Sequence, residues 1–123
     1  MKKNHNYVDG FIIPVPRKNL NTYRRMAKLS AKVWRDHGAL QYVECLADDA
    51  KRGKITSFPQ SVKLKRGEIV VFSWIVYKSR SHRDQVLKKV MSDRRLTELF
   101  NGNAMPFDGM RMIWGGFKPF LKA

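Results

Sequence analysis

Apolar residues change their spacing several times along the chain, and each change marks an element. Tyr7, Val8, Phe11, Ile12, Ile13 and Val15 form a β-rich run, which Pro14 and Pro16 are expected to end because proline donates no ladder hydrogen bond. Asn19 or Asn21 can then cap a helix reaching Asp36 or His37, with Gly38 suited to the left-handed residue that closes a helix. On a 100° wheel Leu20, Tyr23, Met26, Ala27, Val33 and Trp34 share an arc of about 140°, while Arg24, Arg25, Lys28, Lys32 and Arg35 share a separate arc of about 100°. The helix therefore has one apolar and one basic face.

Ala39 to Leu46 reads as a second strand, with Leu40, Tyr42, Glu44 and Leu46 on one side and Gln41, Val43 and Cys45 on the other. Asp48 to Gly67 is polar and too long for a tight turn, so it reads as a loop with a short extended segment near Ser61 to Leu64. Ile69 to Tyr77 is apolar on both faces, the pattern of a strand inside a sheet. Ser81 to Asp84 resembles a capping box in front of Leu87, Val90 and Met91, so a second helix should end near Ser92 or Asp93. Leu96, Leu99 and Phe100 suggest one more helical turn. A loop through Asn101, Gly102, Asn103, Pro106 and Gly109 follows, and Met110 to Phe117 is the last strand, with Gly115 and Gly116 at a bulge or close approach.

The order strand, helix, strand, strand, helix, strand predicts an α+β, ferredoxin-like βαββαβ domain over residues 1–123, with a flexible N-terminus at 1–6. In that arrangement two helices cover one face of an antiparallel four-stranded sheet. With Ile69, Val71 and Ile75 on one side of the third strand and Val70, Phe72, Trp74 and Val76 on the other, both faces are apolar, so the helix-free face needs a cover, and a second copy of the sheet is the simplest one, giving a homodimer.

Charge bears on partners more than on fold. Twenty-five Lys and Arg against ten Asp and Glu give a formal charge of +15, which biases the surface toward polyanions. The cations are spread along the chain, and those of the first helix, Arg24, Arg25, Lys28, Lys32 and Arg35, are the candidates for weak, sequence-independent nucleic-acid contact. Arg66 and Gly67 open the third strand as in an RNA-recognition motif, but aliphatic residues follow where bases would need aromatic rings to stack on. The longest apolar run, Ile69 to Tyr77, is far shorter than the ~20 residues of a membrane-spanning helix, and the N-terminus has no apolar signal segment. With Cys45 the only cysteine, a reducing, cytoplasmic location is expected. His5, His37 and His82 have no ligand spacing, and no glycine-rich phosphate loop, nucleophile elbow or dinucleotide fingerprint occurs, so neither metal nor cofactor is expected.

The block Met105 to Phe117, together with Tyr7 to Phe11, Gly38 to Leu40, Val43 to Cys45 and Phe72 to Trp74, resembles the YbaA-like family of small bacterial proteins of unknown function. The resemblance runs through nearly the whole chain from Tyr7. It implies a dimeric α+β barrel, an architecture shared with small monooxygenases and lactone isomerases, and it implies no reaction. Barrels of this type can oxygenate electron-rich substrates without a cofactor, using an apolar pocket and a few polar groups.

Charged residues within apolar strands are the candidate chemistry, since a buried charge needs a partner. Asp9 shares a face with Tyr7, Phe11 and Ile13 by alternation, Glu44 interrupts the second strand, and Arg111 opens the last one. Tyr7, Asp9, Glu44, Trp74, Arg111 and Trp114 are the candidate pocket residues, although alternation cannot put all of them on one face. Met110, Met112 and Phe117 could add apolar lining. A structural ion pair, such as Asp9 or Asp108 with Arg111, is the competing explanation. Three functions stay open: binding of a small apolar or aromatic ligand, non-specific nucleic-acid binding, and a structural or interaction role without catalysis.

Overall fold

The computed structural model describes residues 6–102 and 104–123. His5 and most of the expected flexible terminus lie outside them, as does Asn103. Four strands, β1 (Tyr7–Pro16), β2 (Gln41–Leu46), β3 (Glu68–Tyr77) and β4 (Ile113–Phe117), form one antiparallel sheet in the order β2-β3-β1-β4. The helices are α1 (Leu20–Asp36), α2 (Phe58–Ser61), α3 (Arg80–Met91) and α4 (Arg94–Phe100). Strand order and connectivity are those of the ferredoxin-like α+β fold, with β3 in the sheet interior as its two-sided apolar pattern requires. Among the described residues no helix is long and apolar enough to cross a membrane.

Odd positions of β1 and β3 and even positions of β2 face the helices. The core forms there in two clusters, one around Tyr7, Val33, Ile75, Tyr77, Val86 and Val90, the other around Ile13, Val15, Tyr23, Ala27 and Val71. The opposite face carries Val8, Ile12, Val43, Phe72, Trp74, Val76, Ile113 and Phe117, and α2 shields one end of it through Phe58 against Phe72.

Several boundaries differ from the sequence expectation for local reasons. Strand β1 continues through Pro14 and Pro16, because β4 pairs only with Val8 to Ile12 and the prolines lie beyond the ladder that would need their N–H. The expected extended segment at Ser61 to Leu64 is instead the end of helix α2 and the turn after it, capped by Ser57 Oγ accepting from Gln60 N at 3.2 Å. Helix α3 starts at Arg80, with Ser79 Oγ accepting from His82 N at 3.0 Å, so the cap lies two residues before the apparent capping box. Strand β2 begins at Gln41, because Arg35 donates to the carbonyls of Ala39 and Leu40 and holds them in the turn. Strand β4 begins at Ile113, because Asp108 accepts from Met110 N and Arg111 Nε and folds residues 108–111 into a turn.

Candidate functional site

Two acids were singled out on β1 and β2, and the helix layer meets them differently. Asp9, 1% exposed, faces Arg83 of α3, whose Nη1 lies 3.3 Å from Asp9 Oδ1 in an ion pair without hydrogen-bond alignment. The same guanidinium sits 5.1 Å over the Tyr7 ring and pairs with Asp84 at 3.0 Å. Tyr77 hydrogen-bonds to Asp9 and its hydroxyl accepts from Trp34 Nε1 at 3.0 Å. Burial pushes the Asp9 carboxyl above the usual range, against the pull of Arg83 and Tyr77. Charge is balanced here by ion pairing, though Asp9 Oδ1 and Arg83 Nε are buried without an aligned hydrogen bond, and neither residue lines the cavities that Glu44 lines.

Glu44 is held otherwise. Tyr23 of α1 donates to its Oε1 at 2.6 Å, and Tyr42, two residues away on the same face of β2, donates to its Oε2 at 3.1 Å. Among the described residues it has no ion-pair partner. Burial raises its pKa and the two phenols hold it back, so it stays readier to take a proton than an exposed glutamate. The phenols are themselves pushed above their usual range, first by burial and then by the Glu44 charge.

Beside Glu44, between the sheet and the helices, lies a cavity of about 240 Å³. Its wall is aromatic and flexible: Phe11, Tyr23, Trp34, Tyr42, Phe100 and Phe107 contribute rings, and Met26, Met91, Met105 and Met112 contribute thioethers. Those are four of the six methionines in the chain, and methionine adapts its shape to what it contacts. Met26, Phe100 and Met105 also line a surface cleft between α1 and the chain after α4, so these three separate the cavity from solvent.

The six candidate residues do not converge. Tyr7 and Asp9 belong to the Arg83 network, and Glu44 belongs to the cavity. Trp74 faces the opposite side of the sheet, its Nε1 donating to Gln41 Oε1 at 3.3 Å. Trp114 is on the helix side but stacks on the outside of Phe11 at 6.0 Å and is 54% exposed. Arg111 lies outside the strand and clamps two loops: it binds Glu68 through both terminal nitrogens, Asp108 through Nε, and the carbonyls of Val62 and Lys63. The proposed Asp108–Arg111 pair therefore exists, and the Asp9–Arg111 pair does not. Met110 and Phe117 are exposed, leaving Met112 as the sole cavity residue among the three added for lining.

Arg83 escaped the sequence analysis, although it shares a helical stripe with Val86, Leu87 and Val90, a spacing that places its stem in the core. The five basic positions of α1 are all exposed. His37, at the end of that helix, contacts Asp93 at 2.7 Å, and His82 Nδ1 accepts from Lys78 N at 2.9 Å.

The family model described as protein of unknown function (DUF1428) matches residues 6–109. The uncharacterized protein YbaA of Escherichia coli strain K12 is 48% identical over 115 residues, covering 94% of this chain and 97% of that protein. The Shigella flexneri protein of the same name matches to the same extent. Among solved structures, a NIPSNAP family protein with unknown function from Agrobacterium tumefaciens strain C58 superposes with a TM-score of 0.59 at 13% identity, covering 96% of this chain and 91% of that one. At that identity the likeness concerns the fold.

Proposed function

The chain belongs to the family described as proteins of unknown function (DUF1428), and for it we propose a ligand-binding role, with a small aromatic molecule in the cavity donating a hydrogen bond or proton to Glu44. The observation that carries this reading is the contrast between the buried Asp9 and the half-buried Glu44. Asp9 has a guanidinium, whereas Glu44 has only two neutral phenols and stands at the wall of an apolar space. A half-buried carboxylate with no ion-pair partner among the described residues, beside a cavity, is what a proton-accepting or ligand-orienting group requires. The volume suits one ring, since an apolar protein cavity of ~150 Å³ admits benzene. The Glu44 oxygens favour a phenol or amine over a plain hydrocarbon. Kinship of fold with oxygenase and isomerase barrels is analogy, and no catalytic step is assigned.

Titration with p-cresol and toluene, followed through the fluorescence of Trp34 in the cavity wall, tests the reading. Wild type should prefer p-cresol by at least about tenfold, since one hydrogen bond to a charged group contributes ~1.5–3 kcal/mol and tenfold corresponds to ~1.4 kcal/mol. The preference should grow from pH 4 to pH 7 as Glu44 ionises, displaced upward from the ordinary glutamate range. Glu44→Gln should abolish the preference while keeping toluene binding, and Ala27→Leu, which fills the cavity, should weaken both ligands. Binding that ignores Ala27→Leu would place the ligand elsewhere and defeat the proposal.

The second element of the proposal is a homodimer joined through the helix-free sheet face. Phe72, Ile113 and Phe117 remain 42%, 44% and 63% exposed there. Apart from Glu68, paired with Arg111 at the strand end, no charged side chain from the four strands points to that face, so it is where two copies of a chain at +15 can meet with least repulsion. Sedimentation at micromolar concentration should give twice the monomer mass. Trp74→Lys, placing a cation in the centre of the face, should give monomers with an unchanged circular dichroism spectrum; a wild-type monomer would refute this element. A lone cysteine and the absence of a spanning helix from the described residues support a cytoplasmic setting.

A further inference from the structure

Strand β2 is at the edge of the sheet, bonded to β3 alone. Ala47 N donates to Val70 O at 2.9 Å. Ladder bonds recur at every second residue, so Gln41, Val43 and Cys45 turn their backbone groups toward β3, and Tyr42, Glu44 and Leu46 turn theirs outward. Helix α1 lies along this edge, running antiparallel to it. The groove between them holds about 380 Å³ where Arg24 and Lys28 face Glu44 and Leu46. Beyond Ala31 and Tyr42 it continues into a second hollow of about 450 Å³ where Lys32 and Arg35 face Leu40 and Gln41.

Thus a row of unpaired backbone groups forms one wall and a row of cations forms the other. Arg35 is committed to the turn before β2, and Lys32 has an exposed contact with Asp36 at 3.4 Å. Arg24 and Lys28 have neither ion pair nor hydrogen bond among the described side chains. Glu44, the acid of the groove floor, accepts one hydrogen bond on each oxygen from the phenols and makes no ion pair with these cations. The spacings match. Successive cations at 24, 28 and 32 are about 6 Å apart along the helix axis, and same-face side chains of an extended chain repeat every ~6.8 Å.

We propose that this groove takes an extended acidic segment of a partner protein, added as a fifth strand on β2 with carboxylates at alternate positions opposite Arg24, Lys28 and Lys32. Backbone bonds to Tyr42, Glu44 and Leu46 supply affinity, and the cation row supplies register and selectivity. A second copy of this chain fits poorly, since its charge is strongly positive. RNA satisfies the cations but not the strand edge, so it is left with the weak, salt-sensitive contact of any polyanion. The groove opens on the helix side of the sheet, away from the face proposed for dimerisation.

The test uses a fluorescein-labelled decapeptide alternating Glu with Val or Thr, measured by anisotropy against the full chain at 50 and 150 mM salt. Three controls are a same-composition peptide with its glutamates in one block, the alternating peptide with a central proline, and a poly-U RNA of equal charge. The alternating peptide should bind at least about tenfold tighter than each control at the higher salt, because proline removes a ladder bond and a block cannot follow the cation row. Lys28→Glu should reverse that advantage, whereas Lys88→Glu on α3, an exposed cation away from the groove, should not; thermal melts of both variants establish that they fold. Slowed amide exchange at Tyr42, Glu44 and Leu46 should accompany binding. Equal affinity for the block or proline peptide, tighter binding of RNA, an equal effect of Lys88→Glu, or self-association through β2 would each overturn the proposal.

Discussion

Replacing Arg83 with methionine is expected to destabilise the protein by about 3–5 kcal/mol at pH 7, the usual cost of removing one partner from a buried ion pair. Arg83 is 8% exposed and is the cation that faces Asp9, itself 1% exposed on the helix side of β1. Methionine keeps the stem and its packing against Tyr7, so the loss isolates the charge. The pH dependence has a definite sign. Burial already raises the folded-state pKa of Asp9, and Arg83 is the strongest influence opposing it. A raised carboxylate pKa contributes stability that is present below the unfolded value and lost as pH rises through the folded one. Without Arg83 that folded value climbs further, so the deficit should be largest at neutral pH and shrink as pH falls toward 4 and Asp9 takes up its proton. Asp9→Asn combined with Arg83→Met should recover part of the loss, since the asparagine leaves no naked charge. Urea titrations at pH 4 and 7 decide the matter. A pH-independent loss would mean that Arg83 acts through packing alone.

The same pair shows where sequence pattern stops being informative. Alternation in β1 places Asp9 with Tyr7, Phe11 and Ile13, and the structure agrees, because side-chain direction in a strand is local. What faces Asp9 is not local. Arg83 comes from α3, seventy-four residues on in the chain, and an arginine in a helical stripe looks the same whether its head reaches water or folds inward. Glu44 is similar: its place on β2 follows from alternation, but Tyr23 reaches it only because α1 crosses above the edge strand. Met26, Met91, Met105 and Met112 come from two helices and the long connection to β4, and no spacing rule relates them. The order of elements, the interior position of β3 and the apolar face of α1 are legible because each repeats a period over several turns. The starts of β4 and α3 are not, since single side chains, Asp108 and Ser79, set them through hydrogen bonds that need coordinates to be seen.

Gly116 is the second position where a large effect is expected, and its neighbour Gly115 provides the control. Gly116 pairs with Asp9 across β1 and β4, and a Cβ there would stand 2.2 Å from Tyr7 Oη, 2.6 Å from Cε2 and 2.8 Å from Cζ. Tyr7 cannot easily yield: it is 7% exposed, its face is covered by the Arg83 guanidinium, and its ring is rigid. Although Gly116 itself is exposed, Gly116→Ala should therefore cost roughly 1–3 kcal/mol, the range for overpacking, because the methyl is forced against the buried Tyr7 ring. At Gly115 the nearest atom to a new Cβ is Phe117 Cε1 at 3.7 Å, ordinary van der Waals contact. Within one protomer, Gly115→Ala should stay within about 0.5 kcal/mol of wild type, since no neighbouring atom has to shift to admit the methyl. Tyr7→Phe in the Gly116→Ala background should restore only part of the loss, because it removes the hydroxyl but leaves the two ring carbons in the way. Tyr7→Leu should relieve the clash fully, so that the double variant with Gly116→Ala loses less stability than the two single variants summed. Urea midpoints at constant m-value give these differences directly. Equal stability of the Gly115 and Gly116 alanine variants would show that Tyr7 moves aside at little cost.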